Sequence, residues 1–334
     1  MPQKILILNT GGTFASISYD SGLAPGIGSE EILKELSSLR KEISLEIEEF
    51  CALDSANIFP KDQAALAARI SEARKTFDGI VVIHGTDTLA YTSSMLSFML
   101  LHIDIPVVIT GSQLSLSDPV ADAMENCRLA FHMALSGHPG VFVAFNRKVI
   151  LGCRASKVRS LSFDAFDSVN YPVIAHLSSL GMQVDTGLLP EKKDIFECRN
   201  AFCDRVLRLV LYPGMPSSLL TYALENGIRG VFIEAFGLGG MPFLTDDLIA
   251  AVKTLVDQDI AVLVGSQCLY EGSNLNVYET GKKALAAGVM EAHDMTGEAA
   301  VTKLMWVLGQ TDRMDRVREY FRVSLCREVT IPKE

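Results

Sequence analysis

The chain has 334 residues, 49% of them apolar and 21% charged, with a formal net charge of −10. That length and apolar content support two packed domains and exclude a disordered chain. The acidic balance lacks the basic footprint that nucleic acid and anionic membranes require, and no apolar run approaches the roughly 18 residues of a membrane span.

Taken in chain order, the opening MPQKILILNTGG is a four-residue apolar run that enters a glycine turn with no small-residue cleavage site. It does not read as a signal peptide, so a cytoplasmic location is expected. Short apolar runs then alternate with longer amphipathic stretches, the pattern of a parallel sheet covered by helices. Strands are predicted at 5–8, 80–84, 107–110 and 141–145, and VFVAFNRKVILG reads as a strand and hairpin. Helices are predicted over 29–39 with Ser29 as N-cap, 62–75, 90–101 and 121–136. The stretch DTGLLPEKKDIFECRNAFCDR is charged, contains Gly and Pro, and lacks periodicity, as a linker does. A second series begins near Arg208: strands in LRLVLYPG, RGVFIEAFG and IAVLVGSQ, a helix over 217–226, a helix in TDDLIAAVKTLVDQD capped by Thr245 or Asp246, and helices around 299–308 and 312–322. The expected fold is α/β. Residues 1–185 form a domain with a mostly parallel, Rossmann-like sheet flanked by helices, 186–207 a linker, and 208–334 a smaller α/β domain. The seven cysteines are scattered without C-x-x-C spacing, the six histidines are isolated, and H-E-x-x-H is absent, so neither a disulfide framework nor a metal site is expected.

Three predicted strands end in similar turns: Thr10-Gly11-Gly12-Thr13, Gly85-Thr86-Asp87-Thr88 and Thr110-Gly111-Ser112-Gln113. In an open parallel sheet the carboxyl ends share one edge, where ligands bind. Glycine lets the backbone approach a ligand, and free N–H groups there can receive a carboxylate or oxyanion. Each turn alone is also an ordinary cap. Gly11-Gly12 is not followed by a G-x-G-x-x-G pattern, and the phosphate-loop and G-x-S-x-G motifs are absent, which removes nucleotide and serine-triad readings. A hydroxyl nucleophile needs a base. His84 sits on a buried strand, where histidine is usually a satisfied core residue. Lys157, in GCRASKVRSLSFDAFDS, could serve if desolvated, although in isolation it reads as a solvated charge.

These motifs resemble the bacterial-type L-asparaginases, and among them the cytoplasmic type I enzymes. The resemblance runs end to end through TGGT, HGTDT followed by AYTSSMLSFML, VVITGSQ, GCRASKVRSLSFDAFDS, YPG and TGEAAVTKLMWVL. It implies hydrolysis of L-asparagine to L-aspartate and ammonia without cofactor or metal. Thr13 would be the nucleophile, forming an acyl-threonine ester. Thr86 and Lys157 would form a second hydroxyl–base pair beside Asp87, and which pair serves acylation stays open. CALDSAN matches the segment that holds the substrate's charged groups, so Asp54 and Ser55 join Thr86 and Asp87 as substrate ligands. Relatives build the site between the N-domain of one chain and the C-domain of another, which implies a homodimer or a dimer of dimers. The implied partner is a small molecule, L-asparagine or also L-glutamine, and neither nucleic acid nor membrane.

The chain departs from the pattern at several places. Many relatives carry a tyrosine in the loop after the first strand, where this chain has Gly22-Leu23-Ala24-Pro25; Tyr19 is the candidate substitute. Ser156 stands where some relatives have threonine. Some type I members have a regulatory asparagine site. Its counterparts here are Gln267 and Cys268, with Glu234 at the position of an arginine. An acid there would repel an asparagine carboxylate, so allosteric activation is expected to be absent or altered. Two alternatives compete: the ammonia-producing subunit of a tRNA-dependent amidotransferase, which carries an extra N-terminal domain before its TGGT region, and a non-catalytic amino-acid sensor.

Overall fold

Strand β1 (Lys4–Gly11) is buried at every residue after Lys4, as a strand covered on both faces must be. The computed structural model describes residues 2–12, 16–19, 22–25, 43–191, 193 and 195–331, so the predicted helix over 29–39 and Thr13 lie outside the described residues. The chain divides into two compact units, Met1–Asn200 and Ala201–Glu334.

In the first unit, β2 (Ser16–Tyr19) and β3 (Gly22–Pro25) pair as a separate ribbon, with Tyr19 opposite Gly22. The main sheet adds β4 (Ser44–Leu53), β5 (Gly79–Ile83), β6 (Pro106–Thr110), β7 (Gly140–Phe145) and β8 (Lys148–Leu151). A second ribbon joins β9 (Ala155–Lys157) to β10 (Phe166–Ser168). Strands β11 (Ala175–Ser178) and β12 (Gly181–Val184) close the sheet, whose order is β12-β11-β8-β7-β6-β5-β1-β4. The β4, β1, β5, β6 and β7 strands are parallel, and β8, β11 and β12 run antiparallel at one edge. The crossovers are helices α1 (Pro60–Ala73), α2 (Leu89–Met99) and α3 (Ala123–Ala134). Proline at the first helical position sets the start of α1. Strand β4 is not among the predicted strands. As an edge strand it carries Glu46, Glu48 and Glu49, which blunt pairing with other chains and erase an apolar signature. The Arg69 guanidinium grips Glu48 from α1, at 2.7 and 3.0 Å.

The second unit is a four-stranded parallel sheet in the order β13 (Val206–Val210), β14 (Gly230–Ala235), β15 (Ala261–Ser266) and β16 (Met290–Glu291). Its helices are α4 (Thr221–Glu225), α5 (Leu248–Asp257), α6 (Glu279–Ala286), α7 (Gly297–Gln310) and α8 (Met314–Phe321). The predicted helix over 217–226 begins instead as a 3-10 turn, Ser217–Leu220, before α4. The cap of α5 is Asp247, whose carboxylate accepts from the Ala250 N–H at 2.9 Å. Asp246 accepts from the Ser217 N–H at 2.9 Å instead, so neither Thr245 nor Asp246 caps the helix as expected.

The most deeply buried ion pair described lies in this unit. Lys303 on α7 and Glu328 near the C-terminus are both fully buried, 2.5 Å apart. The carboxylate also accepts from the Leu325 and Cys326 N–H groups, at 2.9 Å each. Burial pushes the Glu328 carboxyl up, but the Lys303 ammonium, with the Cys326 and Glu328 N–H groups, outweighs it and holds it below its ordinary value. Removing one partner of such a pair strands the other charge. Lys303→Met is expected to lower unfolding free energy by about 3–5 kcal/mol, measured by urea denaturation, because an unpaired buried carboxylate remains.

Candidate active site

The carboxyl ends of β1 and β5 meet through glycine. Gly11 and Gly12 hold φ of +98° and +83°, backbone that side chains rarely adopt. A Cβ on Gly12 would lie 2.4 Å from the Gly85 Cα, and a Cβ on Gly85 would lie 2.6 Å from the Ser55 oxygen. Only paired glycines permit this contact, and it brings HGTDT, TGG and the start of the Ser55–Asn57 turn to one place. Asp54 caps that turn, its carboxylate accepting from the Ala56 N–H at 2.9 Å. Thr88 ties the turn down by donating to the Ser55 carbonyl at 2.7 Å.

Lys157 reaches the same mouth from the end of β9. Its Nζ lies 2.8 Å from Thr86 Oγ1 and 2.6 Å from Asp87 Oδ1. Thr86 is 6% exposed, and the Lys157 side chain 18%. The Asp87 side chain is 67% exposed, so its carboxylate stays open to a second cation. Thus Thr86, Asp87 and Lys157, 71 residues apart at the extremes, form one cluster. Asp54 and Ser55 adjoin it through Gly85 and Thr88. The side chain of Tyr19 lies outside the described residues, as Thr13 does.

At the other mouths, the Thr10 and Thr110 hydroxyls have structural work. Thr10 Oγ1 donates to the Ile83 carbonyl and Thr110 Oγ1 to the Ala144 carbonyl, each at 2.8 Å, stapling neighbouring strands. The expectation that the N–H groups of the first glycine turn are free is corrected. Gly11 N–H donates to Asn9 Oδ1 and Gly12 N–H to the Leu53 carbonyl, both at 3.1 Å. Asn9 is held in turn by Glu49, at 2.8 Å.

The third mouth contributes a residue that sequence reasoning passed over. Gln113 joins Thr86 at 3.3 Å to the carbonyls of Ser160 and Ser162 at 3.1 Å each. Its own N–H and that of Leu114 donate to Asp122, and Asn126 links Asp122 to the Gly111 carbonyl. The signal was present as the polar end of VVITGSQ, but nothing in one sequence pairs it with residue 86 or 160.

His84 is the satisfied core residue its position implied. Its Nδ1 meets the Gly85 carbonyl at 2.7 Å and must therefore donate, leaving Nε2 to accept from Thr92 Oγ1 at 2.9 Å. Gln63 donates to Thr92 at 3.1 Å. Complete burial drives the imidazole down to about 4.

In the second unit, Glu234 does not stand open. It is paired with Arg208, whose Nε is 2.9 Å from the carboxylate. Gln267 Nε2 donates to the Leu211 carbonyl at 2.6 Å and the Glu234 carbonyl at 3.0 Å. Cys268 is exposed. Among the described residues no group of three or more His, Cys, Asp or Glu is placed to hold a metal ion, and no helix is long and apolar enough to cross a membrane.

The His84 environment sets a pH dependence. A histidine whose folded value lies below its unfolded value near 6.5 makes the unfolded state bind more protons, so stability falls as pH drops from about 6.5 to 4. Urea midpoints across that window are expected to show a loss of about 3 kcal/mol that His84→Gln abolishes.

Comparison with known proteins agrees with this geometry. The family model described as "Asparaginase, N-terminal" matches residues 4–188, and that described as "Glutaminase/Asparaginase C-terminal domain" matches residues 205–321. The L-asparaginase of Thermococcus kodakarensis is 40% identical, covering 98% of this chain and 99% of that one. A glutamyl-tRNA(Gln) amidotransferase subunit of Pyrococcus abyssi is 34% identical, covering 98% and 77%. The crystal structure of L-asparaginase I from Vibrio cholerae superposes with a TM-score of 0.86 at 28% identity, over 99% of this chain and 100% of that one. With both family domains matched in order, and a threonine, an aspartate and a lysine gathered at the glycine mouths, the chain belongs to the asparaginase family.

Proposed function

We propose that this protein hydrolyses L-asparagine to L-aspartate and ammonia through a threonine acyl-enzyme. The observation that carries the reading is the Lys157 amine, 2.8 Å from the Thr86 hydroxyl and 2.6 Å from the Asp87 carboxylate. The substrate is a zwitterion with a neutral amide tail. Asp87 and Asp54 receive its ammonium by charge-assisted hydrogen bonds, and Ser55 receives its carboxylate. Thr13, assigned by motif, adds its oxygen to the amide carbon. The C–N bond then breaks, nitrogen leaves as ammonia with the proton taken from the nucleophile, and an ester to Thr13 remains. Water adds to that ester and releases aspartate, its proton returning to the threonine oxygen. Thr86 and Lys157 move protons in this sequence. Gly11 and Gly12 spend their N–H groups inside the protein, so the oxyanion draws its donors from elsewhere in the site.

The remaining parts of the reading follow the same resemblance. Residues 1–185 are the catalytic domain and 208–334 the smaller one, joined by 186–207. The protein works in the cytoplasm as a homodimer or a dimer of dimers.

Similarity to the amidotransferase protein supports a second reading, in which ammonia is made for a tRNA-dependent partner. The purified chain is expected to release ammonia from asparagine without tRNA or a second protein. Thr13→Ala and Lys157→Met are expected to reduce kcat/KM by roughly a thousandfold or more. Binding of asparagine without release would indicate a sensor, and dependence on tRNA the amidotransferase reading. Because Arg208 is already engaged in neutralising Glu234, that pair offers no net positive charge to a regulatory carboxylate. Asparagine saturation is expected to be hyperbolic, and a sigmoidal curve would refute that part.

A further inference from the structure

Gln113 bonds Thr86 directly and the segment that follows Lys157 through two of its carbonyls. The orientation of its amide follows from elementary donor rules. The carbonyl oxygens of Ser160 and Ser162 can only accept, so the amide NH2 faces them, at 3.1 Å each. The amide oxygen is left facing Thr86 Oγ1, at 3.3 Å, and can only accept. The Thr86 hydroxyl therefore donates toward Gln113, and its lone pairs point at Lys157 Nζ, 2.8 Å away. One side chain thus fixes the torsion of the Thr86 hydroxyl. The same side chain pins the segment that leaves β9 immediately after Lys157.

The far end of the segment is tied to the β7–β8 hairpin through Asp164, which bonds Lys148 at 2.5 Å and Asn146 at 2.9 Å, so Gln113 acts on its tip, residues 160–162. Leu161, between the two clamped carbonyls, is 91% exposed and Phe163 is 42% exposed, so the tip of the segment is not held by burial. Its base is fastened by the Val158 N–H to the Ala165 carbonyl at 2.8 Å and by Arg159 to the Asp164 carbonyl at 2.7 Å. Gln113 itself is rigidly mounted. Its N–H donates to both oxygens of Asp122, at 3.0 and 3.2 Å, and Asp122 is fixed by Asn126 at 2.9 Å.

We infer that Gln113 is a positioning residue of the reaction, acting through Thr86: it aims the Thr86 hydroxyl and holds the tip of the segment that follows Lys157. The inference rests on the asparagine-hydrolysing reading above. It concerns turnover more than substrate affinity, because Gln113 bonds none of Asp54, Ser55 and Asp87, which face the substrate's charged groups, and of the proposed ligands meets Thr86 alone among the described bonds.

The test is steady-state ammonia release from asparagine by the wild type, Gln113→Met and Gln113→Glu, with melting temperatures measured in parallel. Methionine keeps the volume and the backbone bonds to Asp122 and removes every side-chain hydrogen bond; glutamate keeps an acceptor for Thr86 and loses the donors to the loop. A misplacement of about 1 Å in such a pair costs about 100-fold, so Gln113→Met is expected to lower kcat about 10- to 100-fold with KM within roughly threefold. Gln113→Glu is expected to lie between Met and wild type, with both variants melting near the wild-type temperature. Wild-type kcat in Gln113→Met overturns the inference. So does a loss confined to KM, or a loss that merely follows a lowered melting temperature. Should the methionine variant fail to fold, the glutamate variant is read by the same kcat and KM criteria. A wild type that releases no ammonia overturns the underlying function instead, and is thereby distinguished.

Discussion

A steric constraint lies beneath everything at this site: Gly12, Gly85 and the Ser55 hydroxyl are stacked closer than any side chain would allow. A single Cβ on Gly12 would fall 2.4 Å from Gly85 Cα, and on Gly85 2.6 Å from Ser55 Oγ. Backbone cannot yield by that much without moving a strand end. The contact therefore locks the ends of β1 and β5 and the Ser55–Asn57 turn into one unit. Beneath it both nitrogens of His84 are bonded, to the Gly85 carbonyl and to Thr92, and Gln63 donates to Thr92 in turn. Thr86 leaves this floor directly after Gly85, and the Lys157 amine reaches it from β9, within hydrogen-bond distance.

Much of this is legible in the sequence, for reasons that differ by element. Strands β1, β5, β6 and β7 are covered on both faces, so they appear as unbroken apolar runs between turn signals. The edge strand β4 is half exposed and acidic and gives no such run. The cap of α5 escapes sequence reasoning because Thr245, Asp246 and Asp247 are adjacent candidates of the same chemistry. Only the fold decides that Asp246 serves Ser217 while Asp247 serves the helix. At the site, Thr86 and Asp87 are local to a strand mouth and can be singled out directly. Lys157 needs the resemblance, because its partner lies 71 residues away. Gln113 escapes notice because an amide beside a glycine turn is an ordinary loop residue until its three partners are known.

The second unit shows how a nearly buried carboxylate is accommodated. Glu234 is almost buried, where a lone carboxylate would be costly. Arg208, on the neighbouring strand β13, supplies the compensating charge, and Val210 of that strand pairs in register with Glu234. A Cβ on Gly297 would meet the Arg208 guanidinium at 2.3 Å and the Glu234 carboxylate at 2.7 Å, so the helix start is packed directly on the pair. Gln267 then spends its amide on backbone carbonyls rather than on anything outside the protein. The arrangement is self-satisfied, as a structural ion pair is.

Asp87 carries the remaining step in the logic of the first unit. Its carboxylate binds the Lys157 amine at 2.6 Å and is still 67% exposed. Under the proposed reading the substrate brings an ammonium to that same carboxylate. Two like charges about 4 Å apart repel by about 4 kcal/mol at an effective dielectric near 20. Under that reading a bound substrate competes with the Lys157 amine for the Asp87 carboxylate, beside the Thr86 hydroxyl. An empty site has no such push, and the ion pair simply stands. On the proposed reading one aspartate faces both the substrate's ammonium and the Lys157 amine, which gives a reason for an acid between two threonines where a buried strand leaves its sheet.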